Sequence, residues 1–144
     1  MQCSQGPFKV GTLAMTRKSD TPILKCKAFN AMCVGEWLLS ECLAQAAAHN
    51  DNEYMHVRAV TLWGISRFYQ VLRDNGMWLG EGALQDLHCA RNAMLHGYMF
   101  MATLAIRDQV PRWPLRPQLH MMDHAERVAQ SLATNPASWW TFQY

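Results

Sequence analysis

The chain has 144 residues, half of them hydrophobic, and a formal net charge of +2 at neutral pH. That length suffices for one domain that buries a core without metal or disulfide support. So small a net charge gives no global field to draw the chain towards nucleic acid or a membrane surface.

Residues 1–20 hold Gly6, Pro7 and Gly11 and a polar run from Thr16 to Asp20, and read as an extended or flexible lead-in. Thr21-Pro22 is a helix start, with threonine as the cap and proline in the first helical position. The first helix is predicted from Pro22 to His49. Ile23, Leu24, Phe29, Met32, Cys33, Trp37, Leu38 and Leu43 supply a broad apolar face. Asn50-Asp51-Asn52 ends it and caps a second helix, which carries Met55, Val60, Leu62, Trp63, Phe68, Tyr69, Val71 and Leu72. Asn75-Gly76 predicts a left-handed stop for that helix.

Met77 to Gly82 is a short connector whose large residues tuck under the bundle. A third helix is predicted from Ala83 to Gln109 with Leu84, Leu87, Leu95, Tyr98, Met101, Ala102 and Ala105 inward. Gly97, inside it, marks a close helix contact. Pro111, Pro114 and Pro117 force a rigid turn, and a fourth helix starts near Pro117 and stops at Asn135-Pro136. The tail Trp139 to Tyr144 is rich in aromatic residues, and either folds back onto the bundle or continues into further structure. The fold class is therefore all-α: a single-domain bundle of about four long helices over residues 21–144, behind the lead-in.

Charge is distributed unevenly. Residues 1–27 hold five Lys/Arg against one Asp, residues 28–56 hold four acids and no Lys or Arg, and residues 91–116 hold four Arg against Asp108. The uncharged apolar run from Asn92 to Ile106 falls short of the ~20 residues that a membrane crossing takes, so no membrane association is expected. Five cysteines (Cys3, Cys26, Cys33, Cys42 and Cys89) form no C-x-x-C, and the first twenty residues lack an apolar signal region. Both features point to a reducing, intracellular compartment, cytoplasmic or nuclear.

His120 and His124, one helical turn apart, form the first candidate site. Two imidazoles at i, i+4 can bind a divalent transition metal such as zinc, although a full site wants further ligands. The alternative is a polar stripe that seats the helix. Met121 stands where a zinc protease would need its glutamate. A carboxylate-bridged di-iron centre fails by count: Glu53-Tyr54-Met55-His56 supplies one Glu-x-x-His and no second exists. No G-x-S-x-G elbow and no phosphate-binding glycine loop is present. Cys26, between Lys25 and Lys27, reads as a structural thiol rather than a nucleophile. Arg107, Arg112 and Arg116 with Trp113 among them could hold phosphates and stack on a base. Alternatively Trp113 plugs the bundle end while the arginines pair with Asp108 or cap the third helix.

Several segments together carry a resemblance. They are Leu24-Lys25-Cys26-Lys27-Ala28, Leu62-Trp63-Gly64, Trp78-Leu79 and the run Arg112-Trp113-Pro114-Leu115-Arg116-Pro117-Gln118-Leu119-His120, then His124 and Asn135-Pro136. Their order resembles an uncharacterised protein family expanded in dinoflagellate algae, with a W-x-(hydrophobic)-R-P-K-x-H-x-x-x-H signature followed by N-P and an acidic stretch. Gln118 departs from the family's lysine, and the chain ends at Tyr144, about where the acidic stretch would follow. The histidine segment is similar to helical regions near the end of eukaryotic cut-and-paste transposases, which would make this chain a non-catalytic piece of a mobile-element-related protein. The expected function is a non-catalytic interaction or scaffolding module without a cofactor, binding a protein partner or itself. The alternative is metal or nucleic-acid contact through the His120/His124 and Arg112/Arg116 surface.

Overall fold

A computed structural model describes residues 28–110, Trp113 and residues 117–140. Four long helices follow one another: α1 (Ala28–Ala48), α2 (Glu53–Asp74), α3 (Glu81–Arg107) and α4 (Pro117–Leu132), with a short α5 (Ala137–Trp140) after them. The molecule is an all-α bundle, and its one element of β geometry among the described residues is the isolated bridge Trp78–Thr134. The predicted start at Thr21-Pro22 lies outside the described residues, as do Ile23 and Leu24. Among the described residues, no helix is long and apolar enough to cross a membrane.

Helix boundaries follow from local chemistry. Asn52 caps α2 by accepting a hydrogen bond from the Met55 backbone N–H, as the sequence predicts. The other end of α2 corrects the expectation of a left-handed stop. Asn75 is extended, no glycine has positive φ among the described residues, and the Asn75 side chain donates to the Val71 carbonyl. An amide that satisfies a terminal carbonyl removes the need for a left-handed turn. Left-handed residues occur instead at Gln109 and Ala133, just past α3 and α4.

Successive helices are antiparallel. Glu36 and Gln45 of α1 meet Ser66 and Arg58 of α2. Thr61 and Arg67 of α2 face Gly97 and Asp86 of α3, and His88 and Leu84 of α3 meet Glu126 and Gln130 of α4. The main core joins α2, α3 and α4: Phe68, Val71, Leu72, Leu79, Leu87, Ala90, Ala125 and Ala129 are all buried. A smaller cluster of Cys42, Ala46 and Ala59 attaches α1 to the far side of α2. Helices α1, α2 and α3 therefore form a layer, with α4 over one side of it.

That arrangement corrects the expected broad apolar face of α1. With its principal contact on α2, α1 buries the narrow seam Val34–Cys42–Ala46 and leaves Trp37, Leu38 and Leu43 exposed. The connector is corrected too. Leu79 enters the core, 4% exposed, whereas Met77 and Trp78 face solvent.

The segment after α4 ties the bundle shut. Leu79 N–H donates to the Ala133 carbonyl and Asn135 N–H to the Met77 carbonyl. The buried Asn135 amide donates to Leu72 O at 2.7 Å and Asn75 O at 3.0 Å, and its Oδ1 accepts from Ala137 N. Asn135 thus does more than end a helix: it satisfies the last carbonyls of α2. Asn135→Ala strands those carbonyls and is expected to cost about 2–3 kcal/mol, read as a lower urea midpoint with an unchanged m-value.

Candidate functional site

The seam between α3 and α4 is built from charge. Glu126, its side chain 2% exposed, sits at the centre. Arg91 donates to Glu126 Oε2 through Nε at 3.3 Å and Nη2 at 3.0 Å. Arg91 Nη1 donates to Asn92 Oδ1, and Asn92 Nδ2 lies 2.9 Å from His88 Nε2. His88 Nδ1 lies 3.0 Å from Glu126 Oε1, which closes the ring. Donor must face acceptor at each link, so His88 carries its proton on Nδ1 and accepts at Nε2. Asp123 supports the ring from outside, 3.5 Å from Arg91 Nε and bridged at 2.9 Å to Arg127.

A buried carboxylate behind a histidine is the arrangement of a general base. Here the nitrogen that would take the substrate's proton is occupied by the Asn92 amide. The ring is closed on itself and serves to fasten α4 to α3. Sequence reasoning missed Glu126, Arg91 and Asn92 as a unit. The signal was present: His88 and Arg91 three apart on one helix, Asp123 and Glu126 three apart on the next, two complementary pairs on antiparallel neighbours.

The proposed site residues have separate placements. His120 and His124 are both exposed on the solvent face of α4, with Nε2 atoms 2.9 Å apart and ring centroids 4.3 Å apart. Asp123, though adjacent to His124, turns inward to Arg91. Arg107 is exposed and bonded to Asp108; that hydrogen bond, then the charge of Asp108, raises the guanidinium pKa. Trp113 donates from Nε1 to Tyr54 Oη at 3.2 Å and packs edge-on against Tyr98. It bridges α2 and α3, the plug arrangement. Arg112 and Arg116 lie outside the described residues. Glu53-x-x-His56 lies at the start of α2, with His56 Nε2 beside the Asn50 carbonyl. No group of three or more His, Cys, Asp or Glu able to hold a metal occurs among the described residues.

Comparison with protein-family models, curated proteins and solved structures finds no match to this chain.

The layer side opposite α4 is the other candidate surface. Residues His56, Val60, Trp63 and Arg67 recur at i, i+4, i+7 and i+11, one stripe along α2. Arg67 bonds Asp86, which fixes the same side on α3, where Ala93 and Phe100 continue at heptad spacing. Glu36 accepts from Ser66 and Gln70, which fixes it on α1, where Leu43 and Ala47 follow at i+7 and i+11. Helix α4 packs through Leu84, His88 and Arg91, on the other side. The open side therefore presents Leu43, Val60 and Trp63, which are 51%, 50% and 43% exposed.

Proposed function

We propose that this chain is a non-catalytic helical interaction module whose open face binds a second copy of itself. The supporting observation is the run of Leu43, Val60 and Trp63 across α1 and α2, left uncovered by the described helices on the side away from α4. Contiguous apolar side chains of this kind mark association surfaces. A two-fold axis between Val60 and Trp63 would set each Trp63 against the other copy's Val60, an isologous contact. In that antiparallel register Glu36 at one end faces towards Arg107 of the other copy, so charge complements the apolar centre.

The mobile-element resemblance remains part of this proposal. Its signature residues Trp113, Asn135 and Pro136 all have structural duties, which supports reading them as fold determinants rather than chemistry. Contact with nucleic acid draws less support, because Trp113 is already engaged by the Tyr54 hydroxyl and the Tyr98 ring.

Sedimentation velocity tests the reading. The wild-type chain is expected to be dimeric at tens of micromolar, and Val60→Glu/Trp63→Glu monomeric with its melting temperature little changed. Both side chains are solvent-facing in the single chain, so the substitutions leave the core alone. A wild-type chain that stays monomeric at several hundred micromolar overturns the proposal, as does a dimer that the double variant leaves intact.

A further inference from the structure

The side of the layer that carries α4 is itself only partly covered. On α1, Leu38, Glu41 and Gln45 lie at i, i+3 and i+7, and the hydrogen bond from Arg58 to Gln45 sets that stripe beside Arg58 of α2. On α2, Arg58, Leu62, Ile65 and Tyr69 recur at i, i+4, i+7 and i+11. Each stands two residues beyond His56, Val60, Trp63 and Arg67 in turn. The stripe is therefore about 200° round the helix from the open face, on α4's side of the layer. Helix α4 has its principal contact with α3. The groove between α1 and α2 beside it keeps Leu38 38% and Tyr69 40% exposed, with Leu62 and Ile65 half-buried and Glu41 exposed at its rim.

A square four-helix arrangement has room for one more segment in that groove. Reach and charge both select the start of this chain. Helices α1 and α2 are antiparallel, so Ala28 stands at the end of the groove nearest Tyr69. Glu41 is 13 residues further along α1, about 20 Å, which about six residues of extended chain cover. Residues 1–20 have length to spare for that return. They hold Lys9, Arg17 and Lys18 against Asp20 alone, with Phe8, Val10, Leu13 and Met15 among them. Residues 28–56 hold four acids and no Lys or Arg.

We propose that residues 1–20 dock along the α1–α2 groove beside α4, apolar residues over Leu38 and Tyr69 and cations beside Glu41. Attachment to α1 makes the contact intramolecular, at an effective concentration on the order of millimolar. A few apolar contacts then suffice where a separate chain would need a full interface. The groove lies opposite the proposed self-association face, so either reading can fail without the other.

Photo-cross-linking of the full chain tests this. p-Benzoylphenylalanine in place of Tyr69, and separately of Leu38, is expected to link within one chain to residues 1–20, as mapped by mass spectrometry. Both side chains are exposed, so neither replacement enters the core. The same group in place of Val60, on the other side of the layer, should link to residues 1–20 with about tenfold lower yield. Glu41→Lys should lower the yield from Tyr69 about threefold, and Lys9→Glu/Arg17→Glu/Lys18→Glu in the same chain should restore it. The proposal is overturned if neither Tyr69 nor Leu38 links to residues 1–20, whether the product is a second copy, residues 141–144 or nothing. Equal yield from Val60 overturns it too, as does a yield that Glu41→Lys leaves unchanged.

Discussion

Replacing Glu126 by alanine is expected to lower stability by about 3 kcal/mol, or about 10 °C in melting temperature for a domain of this size. The carboxylate is buried and accepts from both His88 and Arg91. Without it, Arg91, only 18% exposed, keeps Asp123 and Asn92 but loses its shortest charge partner. The His88 Nδ1–H loses its acceptor. The cost is mainly that of leaving a guanidinium desolvated and under-paired, and not the worth of the ion pair as such. Two further variants separate those contributions. Glu126→Leu together with Arg91→Met removes both charges, and should recover much of the loss because an apolar pair of similar volume restores the seam. His88→Ala alone should cost only about 1 kcal/mol, since that side chain is nearly half exposed and Glu126 retains Arg91. Urea denaturation of the three variants checks the order. A loss below 1 kcal/mol for Glu126→Ala would show that the ring does not fasten α4.

The sequence made the helices legible and left much of their packing hidden. Caps and breakers act within a few residues, which is why Asn52 and Pro117 marked helix starts correctly. Gly97 was readable as a close contact because an interior helical glycine has little other use. Periodicity, by contrast, gives the phase of an apolar stripe but not how many neighbours will cover it. Val60 and Trp63 fit an amphipathic pattern, yet they fall on the side of α2 that neither α1, α3 nor α4 occupies. Trp78 and Leu79 are equally apolar in sequence, and only the bridge to Thr134 decides that Leu79 turns inward.

The polar seam was hidden for a related reason. Helix α4 buries Ala125 and Ala129, residues too small to announce a core face, and surrounds them with charged side chains. Read alone, such a helix has its inward side in doubt. The exposed His120 and His124 drew attention as the unusual pair, while the buried Glu126 looked like an ordinary surface acid. Its burial becomes intelligible only once Arg91 and His88 are seen on the facing helix.

Gly64→Ala should be the other costly substitution, at about 3 kcal/mol. In an exposed helix interior the same change would gain about 1 kcal/mol from helix propensity, so the sign depends on what the new methyl meets. At Gly64 it meets backbone: a Cβ there would lie 2.6 Å from the Ala90 carbonyl oxygen and 2.7 Å from the Met94 nitrogen. Neither can rotate away. Helices α2 and α3 must part by several tenths of an ångström, which loosens Phe68, Leu87 and Met94 together. Gly97 gives the instructive contrast. A Cβ there overlaps the Thr61 hydroxyl, a side-chain atom that donates to the Val57 carbonyl. Gly97→Ala should cost about 1–2 kcal/mol, and Thr61→Ala in the same chain should remove most of that loss. A single side-chain truncation at the facing positions Ala90, Ala93 or Met94 should not rescue Gly64→Ala in the same way, because its two nearest obstacles are main-chain atoms. Thermal denaturation of the Gly64 and Gly97 variants, with and without the compensating change, decides it. A Gly64→Ala chain as stable as the wild type would mean that α2 and α3 do not approach as closely as their backbone contact requires.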